Sequence, residues 1–190
     1  MRTNIMICGV GGQGIVLTSK LIAAAAVARD MPVMSAETIG MAQKGGSVFS
    51  FLRVGEGISC PMFGEGEADL LIGFEPSEAV RMFPYLKKGG TAIVNTHPIM
   101  PVTAALNGSD YDGADMLEYL KRNAGKLVLI DGEKAMTEIG SPKVLNMVML
   151  GAAVATGLLP FTPDEIEQTM KATVKPQFVE LNSRALRYGE

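Results

Sequence analysis

The segment richest in chemical possibility lies near the amino terminus, at Gly9-Val10-Gly11-Gly12-Gln13-Gly14. Its glycines keep the G-x-G-x-x-G spacing, directly after an apolar run (Ile5-Met6-Ile7-Cys8) and before a helical one (Ile15 to Ala28). A dinucleotide-binding fingerprint requires that context. Glycines permit the tight turn and let an anion approach backbone N–H groups at a helix amino terminus. Gly9, Gly11, Gly12, Gln13 and Gly14 are therefore candidate cofactor-binding residues. The fingerprint also wants an acidic residue about 20 positions on, at the end of the second strand; Glu37 stands roughly there. The same glycines would serve equally if they only let strand and helix pack closely, and spacing alone does not separate the two.

A second candidate segment is Met41-Ala42-Gln43-Lys44-Gly45-Gly46-Ser47. Two adjacent glycines beside an amide, a cation and a hydroxyl suit backbone brought close to an anionic ligand or to another subunit. Met41, Gln43, Lys44, Gly45, Gly46 and Ser47 are thus candidates for a partner or active-site loop, its glycine N–H groups uncovered; a solvated hairpin entry is the plainer alternative. His97, the sole histidine, sits in Asn95-Thr96-His97-Pro98, a loop closing a strand, and reads as a hydrogen-bonded or solvated residue. Glu37 and Glu75 follow strands, where α/β folds place sites; Glu75 reads as a helix cap or surface carboxylate. No catalytic residue can be assigned, and no metal site is expected. The thirteen methionines are read as core packing, since Met147 and Met149, two apart, cannot share a helix face.

These segments need elements to hold them. Ile5 to Cys8, the helix from Ile15 to Ala28 and Pro32 to Met34 read as strand, helix, strand, a parallel crossover unit. Glu37 to Gly46 reads as a long loop and Ser47 to Val54 as a strand, followed by a turn at Gly55 to Gly57. Ala68 to Phe74 is a buried strand, and Pro76 opens a helix reaching Tyr85. Gly89-Gly90 closes that region before a strand from Thr91 to Val94. A helix from Asp112 to Ala124 and a strand from Leu127 to Ile130 follow. Helices are expected over Pro142 to Thr156, Pro163 to Thr173 and Pro176 to Tyr188, the second announced by Thr162-Pro163-Asp164-Glu165. The alternation predicts an α/β fold: a Rossmann-like, doubly wound, mostly parallel sheet with a helical carboxyl-terminal cluster. All 190 residues are expected to form a single domain.

Composition narrows the partners. A net charge of -3 with scattered Lys and Arg argues against nucleic acid. The only basic doublets, Lys87-Lys88 and Lys121-Arg122, are expected near helix ends. Two isolated thiols, Cys8 and Cys60, fall short of the four that an iron–sulfur cluster usually takes. They also give no disulfide scaffold, so a reducing cytoplasmic setting is expected. The start, Met1-Arg2-Thr3-Asn4, runs straight into a strand, so no signal peptide is expected. No apolar stretch approaches the ~20 residues of a membrane span.

Taken together, Gly11-Gly12-Gln13-Gly14-Ile15 and Met41-Ala42-Gln43-Lys44-Gly45-Gly46-Ser47-Val48 resemble the gamma-type domain of 2-oxoacid:ferredoxin oxidoreductases, in its indolepyruvate branch. The likeness continues through Pro61, Gly66-Glu67-Ala68-Asp69, Glu75, Asn95, Asn146 and Leu150-Gly151 to Asn182 and Ala185. Lys44 departs from the more usual Arg, keeping the charge but losing a planar bidentate contact. The resemblance implies a non-thiamine subunit, inactive alone. Its large partner would carry thiamine diphosphate, magnesium and iron–sulfur clusters. The assembled complex would oxidatively decarboxylate aryl 2-oxo acids to acyl-coenzyme A, with coenzyme A as co-substrate and ferredoxin as electron acceptor. The alternative from the glycine fingerprint alone is a stand-alone Rossmann-like dehydrogenase; a third is a scaffold in which Gly11 and Gly12 are structural only.

Overall fold

The computed structural model describes residues 2–37, 45–100 and 110–189. Six strands form one sheet: β1 (Arg2–Val10), β2 (Val33–Glu37), β3 (Ser47–Gly55), β4 (Ala68–Gly73), β5 (Leu86–Asn95) and β6 (Lys126–Ile130). The helices are α1 (Ile15–Ala28), α2 (Pro76–Met82), α3 (Ala114–Asn123), α4 (Gly132–Ile139), α5 (Leu145–Ala155), α6 (Pro163–Thr173) and α7 (Val179–Leu186).

Spatially the strands run β2-β3-β1-β4-β5-β6. The pairs β1–β4, β4–β5 and β5–β6 are parallel, whereas β3 runs antiparallel to both β1 and β2. The mostly parallel α/β sheet is therefore as expected, with one correction to the first crossover. The chain does pass from β1 through α1 to a strand of the same direction, but β2 is not β1's neighbour. β3 occupies that place, and period-2 patterning carries no information about direction or order.

β1 is buried along nearly its whole length because helices cover both faces of the sheet. Ile5, Ile7, Leu52, Leu70, Ile72 and Ile93 point to the face covered by α1 and the carboxyl-terminal helices. Met6, Cys8, Phe51, Leu71, Ala92 and Val94 point to the face of α2 and α3. α1 meets the sheet through Ile15, Thr18, Leu21, Ile22 and Ala25, the three-and-four spacing of one helix face. α5 is buried almost all round, so Met147 and Met149 pack on different sides of it, both at 0% exposure.

Three helices are shorter than the sequence implies. Phe83–Tyr85, Pro142–Val144 and Pro176–Phe178 are tight 3-10 turns flanking α2, α5 and α7. α6 begins where its signal lies: Thr162 Oγ1 accepts from the Glu165 N–H, and Glu165 returns the bond to the Thr162 N–H, 2.8 Å. Lys87-Lys88 stands just past the 3-10 turn that ends at Tyr85, near a helix end as expected, but already within β5, with Lys87 paired to Asp69. Gly89-Gly90 likewise lies inside β5, where the register to β4 shifts; Lys121-Arg122 does fall in the last turn of α3. No helix among the described residues is long and apolar enough to cross a membrane.

Candidate functional site

Neighbouring strands β1 and β4 send the chain to opposite faces. From β1 it turns through the glycine loop into α1; from β4 it turns into α2. Open α/β sheets bind ligands in the crevice left at the carboxyl ends of strands that diverge in this way.

Each glycine of the loop has its own reason. A Cβ on Gly9 would lie 2.7 Å from Phe74 Cβ, so that position is small for packing. Gly14 is the amino-terminal cap of α1 at φ 90°, and a Cβ there would meet Asn146 Cβ at 2.9 Å. Gly12, at φ 107°, faces open space. The choice between packing and ligand approach thus divides by residue: Gly9 and Gly14 pack, while Gly12 leaves backbone uncovered.

The two sequence segments meet. The Gly11 N–H donates to Gly46 O (2.8 Å), and the Gly45 N–H donates to Gly11 O (3.2 Å). These bonds extend the β1–β3 ladder past its last pair, Val10 with Ser47. They also correct the expectation that both glycine N–H groups stand uncovered, because Gly45 spends its own on the glycine loop. The Ser47 hydroxyl donates to Glu78 Oε2 (2.7 Å), which also accepts from Arg81 on α2. Met41, Gln43 and Lys44 lie outside the described residues.

Gln13 is a brace. Its Oε1 accepts from the Val10 N–H (2.7 Å) and its Nε2 donates to Phe74 O (2.9 Å). The same carbonyl accepts from Asn95 Nδ2 (3.0 Å), whose Oδ1 in turn accepts from the Gly132 N–H at the start of α4 (3.1 Å). One backbone oxygen therefore ties together the ends of β1, β4 and β5.

Beside it, Glu75 is fully buried. Its carboxylate accepts from Ser77 Oγ (2.5 Å), the Glu78 N–H (3.0 Å), Tyr111 Oη (2.6 Å) and the Ile99 N–H (3.4 Å). It is the helix cap that its position suggests, but in the interior rather than on the surface. Burial, and then the bond to Glu75, push the Tyr111 phenol up to about 12. Burial also pushes the Cys8 thiol well above its ordinary value, so it stays protonated and inert.

A cavity of about 350 Å³ opens above these groups, lined by Gly12, Gln13, Gly14, His97, Lys143 and Asn146 among others. His97 Nδ1 lies 3.1 Å from Glu133 Oε2, the hydrogen-bonded role expected of it. Lys143 escaped the sequence reading altogether, because it lies far along the chain with no local signal. Asn146 was visible only within the family likeness, for the same reason. Glu37 ends β2, and β3 intervenes between it and β1. At about 4.8 Å per strand it stands about two spacings from β1 instead of one, too far for the fingerprint's acidic partner.

The chain matches the pyruvate ferredoxin/flavodoxin oxidoreductase family over residues 4–190. It belongs to that family. It is 38% identical over 190 residues to indolepyruvate oxidoreductase subunit IorB of Methanothermobacter thermautotrophicus, spanning 100% of this chain and 96% of the relative. The structure of pyruvate oxidoreductase subunit PORC from Thermotoga maritima superposes with a TM-score of 0.71 at 23% identity, covering 98% of this chain and 93% of that one. A 2-oxoglutarate:ferredoxin oxidoreductase from Magnetococcus marinus superposes at 0.72 with 19% identity, over 97% of this chain and 30% of that longer one. At those identities the structures establish the fold. The same α/β fold thus occurs both as a chain of about this length and within a longer one.

Proposed function

We propose that this chain is the non-thiamine subunit of an indolepyruvate-type 2-oxoacid:ferredoxin oxidoreductase. The observation that carries the reading is full-length identity of 38% to an indolepyruvate oxidoreductase subunit. The chain's own chemistry agrees. Its two cysteines are one buried at 0% exposure and one on the surface, which does not fit a cluster that takes four thiolates. Cluster and thiamine chemistry are therefore assigned to a larger partner.

What this chain contributes is shaped backbone. The glycine loop, with Gly9, Gly11, Gly12, Gln13 and Gly14, joins Gly45-Gly46-Ser47 in one hydrogen-bonded surface at the carboxyl edge of the sheet. We assign that surface, with Met41, Gln43 and Lys44, to the partner's active-site mouth and to coenzyme A arriving there. Ferredoxin would meet the complex through the partner. All 190 residues would act as one domain, in the cytoplasm.

Co-expression with the large subunit of an indolepyruvate enzyme tests the assignment. The two chains should co-purify and together reduce ferredoxin with indolepyruvate and coenzyme A, while this chain alone is colourless and inactive. Turnover by the lone chain with thiamine diphosphate added would overturn it.

A further inference from the structure

We infer that Asn95 is a positioning residue, a strut that fixes the glycine loop against α4 on the opposite side of the site. Asn95 closes β5 after the apolar run Ala92-Ile93-Val94 and is 1% exposed. An amide in such a place is costly unless its polar atoms are paired. Here all of its capacity is used. Nδ2 donates to Phe74 O (3.0 Å) and, more weakly, to His97 O (3.5 Å). Oδ1 accepts from the Gly132 N–H (3.1 Å) and, more weakly, from the His97 N–H (3.4 Å). One side chain thus reaches three separate pieces of chain, and it cannot turn or shift without loosening all of them.

Each piece carries part of the cavity wall. Phe74 O also accepts from Gln13 Nε2 (2.9 Å), and Gln13 Oε1 accepts from the Val10 N–H (2.7 Å), so that oxygen leads directly into the glycine loop. Gly132 opens α4, which supplies Met136 to the cavity and Glu133 to His97. Gly132 must be small for the strut to fit, because a Cβ there would lie 2.5 Å from Asn95 Oδ1. Asn95 borders the cavity, but its polar atoms are spent on the protein. It therefore acts through Phe74 O and Gly132 rather than on a ligand. The role rests on the coenzyme A function proposed above for the glycine loop, and adds the residue that holds that loop in place.

Hydrogen–deuterium exchange on the full-length chain, and steady-state kinetics of its complex with the large subunit, test the role. Asn95→Ala should speed amide exchange over residues 9–14 and 132–136 at least about tenfold while leaving α6 unchanged. A general loss of stability would instead speed every region alike. In the complex the same variant should raise KM for coenzyme A about tenfold, with kcat and the KM for indolepyruvate within about twofold of wild type. Gly132→Ala presses on Oδ1 from α4 and removes no polar group. It should act in the same direction to a smaller extent, and it keeps the test decisive if Asn95→Ala fails to fold. Adding Asn95→Ala to Gln13→Ala should raise KM for coenzyme A no further, because the link to the loop is already cut. Unchanged exchange over residues 9–14 in the folded variants overturns the strut. So does an unmoved KM for coenzyme A, or effects of Asn95→Ala and Gln13→Ala that multiply. A wild-type complex without turnover refutes the subunit assignment, while the exchange measurement still decides whether Asn95 holds the loop.

Discussion

Replacing Glu75 by alanine should cost about 3 kcal/mol of folding stability. The carboxylate is fully buried and accepts four hydrogen bonds. Loss of the α2 cap accounts for about 1 kcal/mol. The Tyr111 hydroxyl and Ile99 N–H, which face the same Oε1, are then stranded at about 1–3 kcal/mol together. Glutamine is the informative control. Its carbonyl, in the place of Oε2, can still accept from the Glu78 N–H and the Ser77 hydroxyl, and the Tyr111 hydroxyl can turn to accept from its amide, so only the weak Ile99 bond is lost. Glu75→Gln should therefore cost about 1 kcal/mol, and Tyr111→Phe about 1–2 kcal/mol, because it removes the bond to Glu75 and the one its hydroxyl accepts from the Ser77 N–H (3.1 Å). In the double variant Glu75→Ala/Tyr111→Phe the losses should fall short of additive, because both touch one bond. Urea unfolding followed by circular dichroism measures all four. Glu75→Ala within about 0.5 kcal/mol of wild type, or no milder outcome for glutamine, would refute the network as a source of stability.

Other outcomes follow from single positions. The Tyr111 phenol, raised from 10.0 to about 12 in the folded chain, holds its proton more tightly than in the unfolded state. Its contribution is complete below about pH 10 and lost as pH rises through about 12; Tyr111→Phe should flatten that part of a stability–pH curve. Gly151→Ala would set a Cβ 2.0 Å from the Leu186 carbonyl oxygen, forcing α5 and α7 apart at a cost of about 1–3 kcal/mol, seen as a lower urea midpoint. Lys44→Ala should leave stability within about 0.5 kcal/mol while weakening coenzyme A use or assembly of the reconstituted complex. Steady-state kinetics across coenzyme A concentrations check this, and unchanged values would reduce the segment to a solvated connection.

Much of this architecture was legible in the residues. The buried runs Ile5 to Cys8 and Ala68 to Phe74 announce central strands, and the glycine loop lies between strand and helix as its spacing demands. Direction was not legible: β3 alternates like any strand, and only its ladder to β1 reveals that it runs the other way and displaces β2. α4 was missed, although Asp131 caps it, Ala135 and Ile139 bury one face, and Gly140 ends it at φ 86°. Eight residues between a strand and Pro142 gave too short a period to notice. The candidate site was half visible. Its loops carry glycine signatures, but Asn146 and Lys143 reach them only through tertiary packing, and Gln13's bonds to Val10 and Phe74 have no local sign. Glu75 illustrates a further limit, since a cap can be inferred from Glu-Pro-Ser-Glu whereas its complete burial cannot.

The bonds between Gly11 and Gly45-Gly46 make two loops into one mechanical piece. A displacement of the glycine loop toward a ligand must carry the 45–47 turn with it or break the ribbon, and the Ser47–Glu78 bond relays the strain to α2. Were a docked protein to favour one position of that turn, the change it made in affinity at the amino end of α1 would equal the change that a ligand there made in docking. Binding at one end and docking at the other would be a single equilibrium measured from two sides.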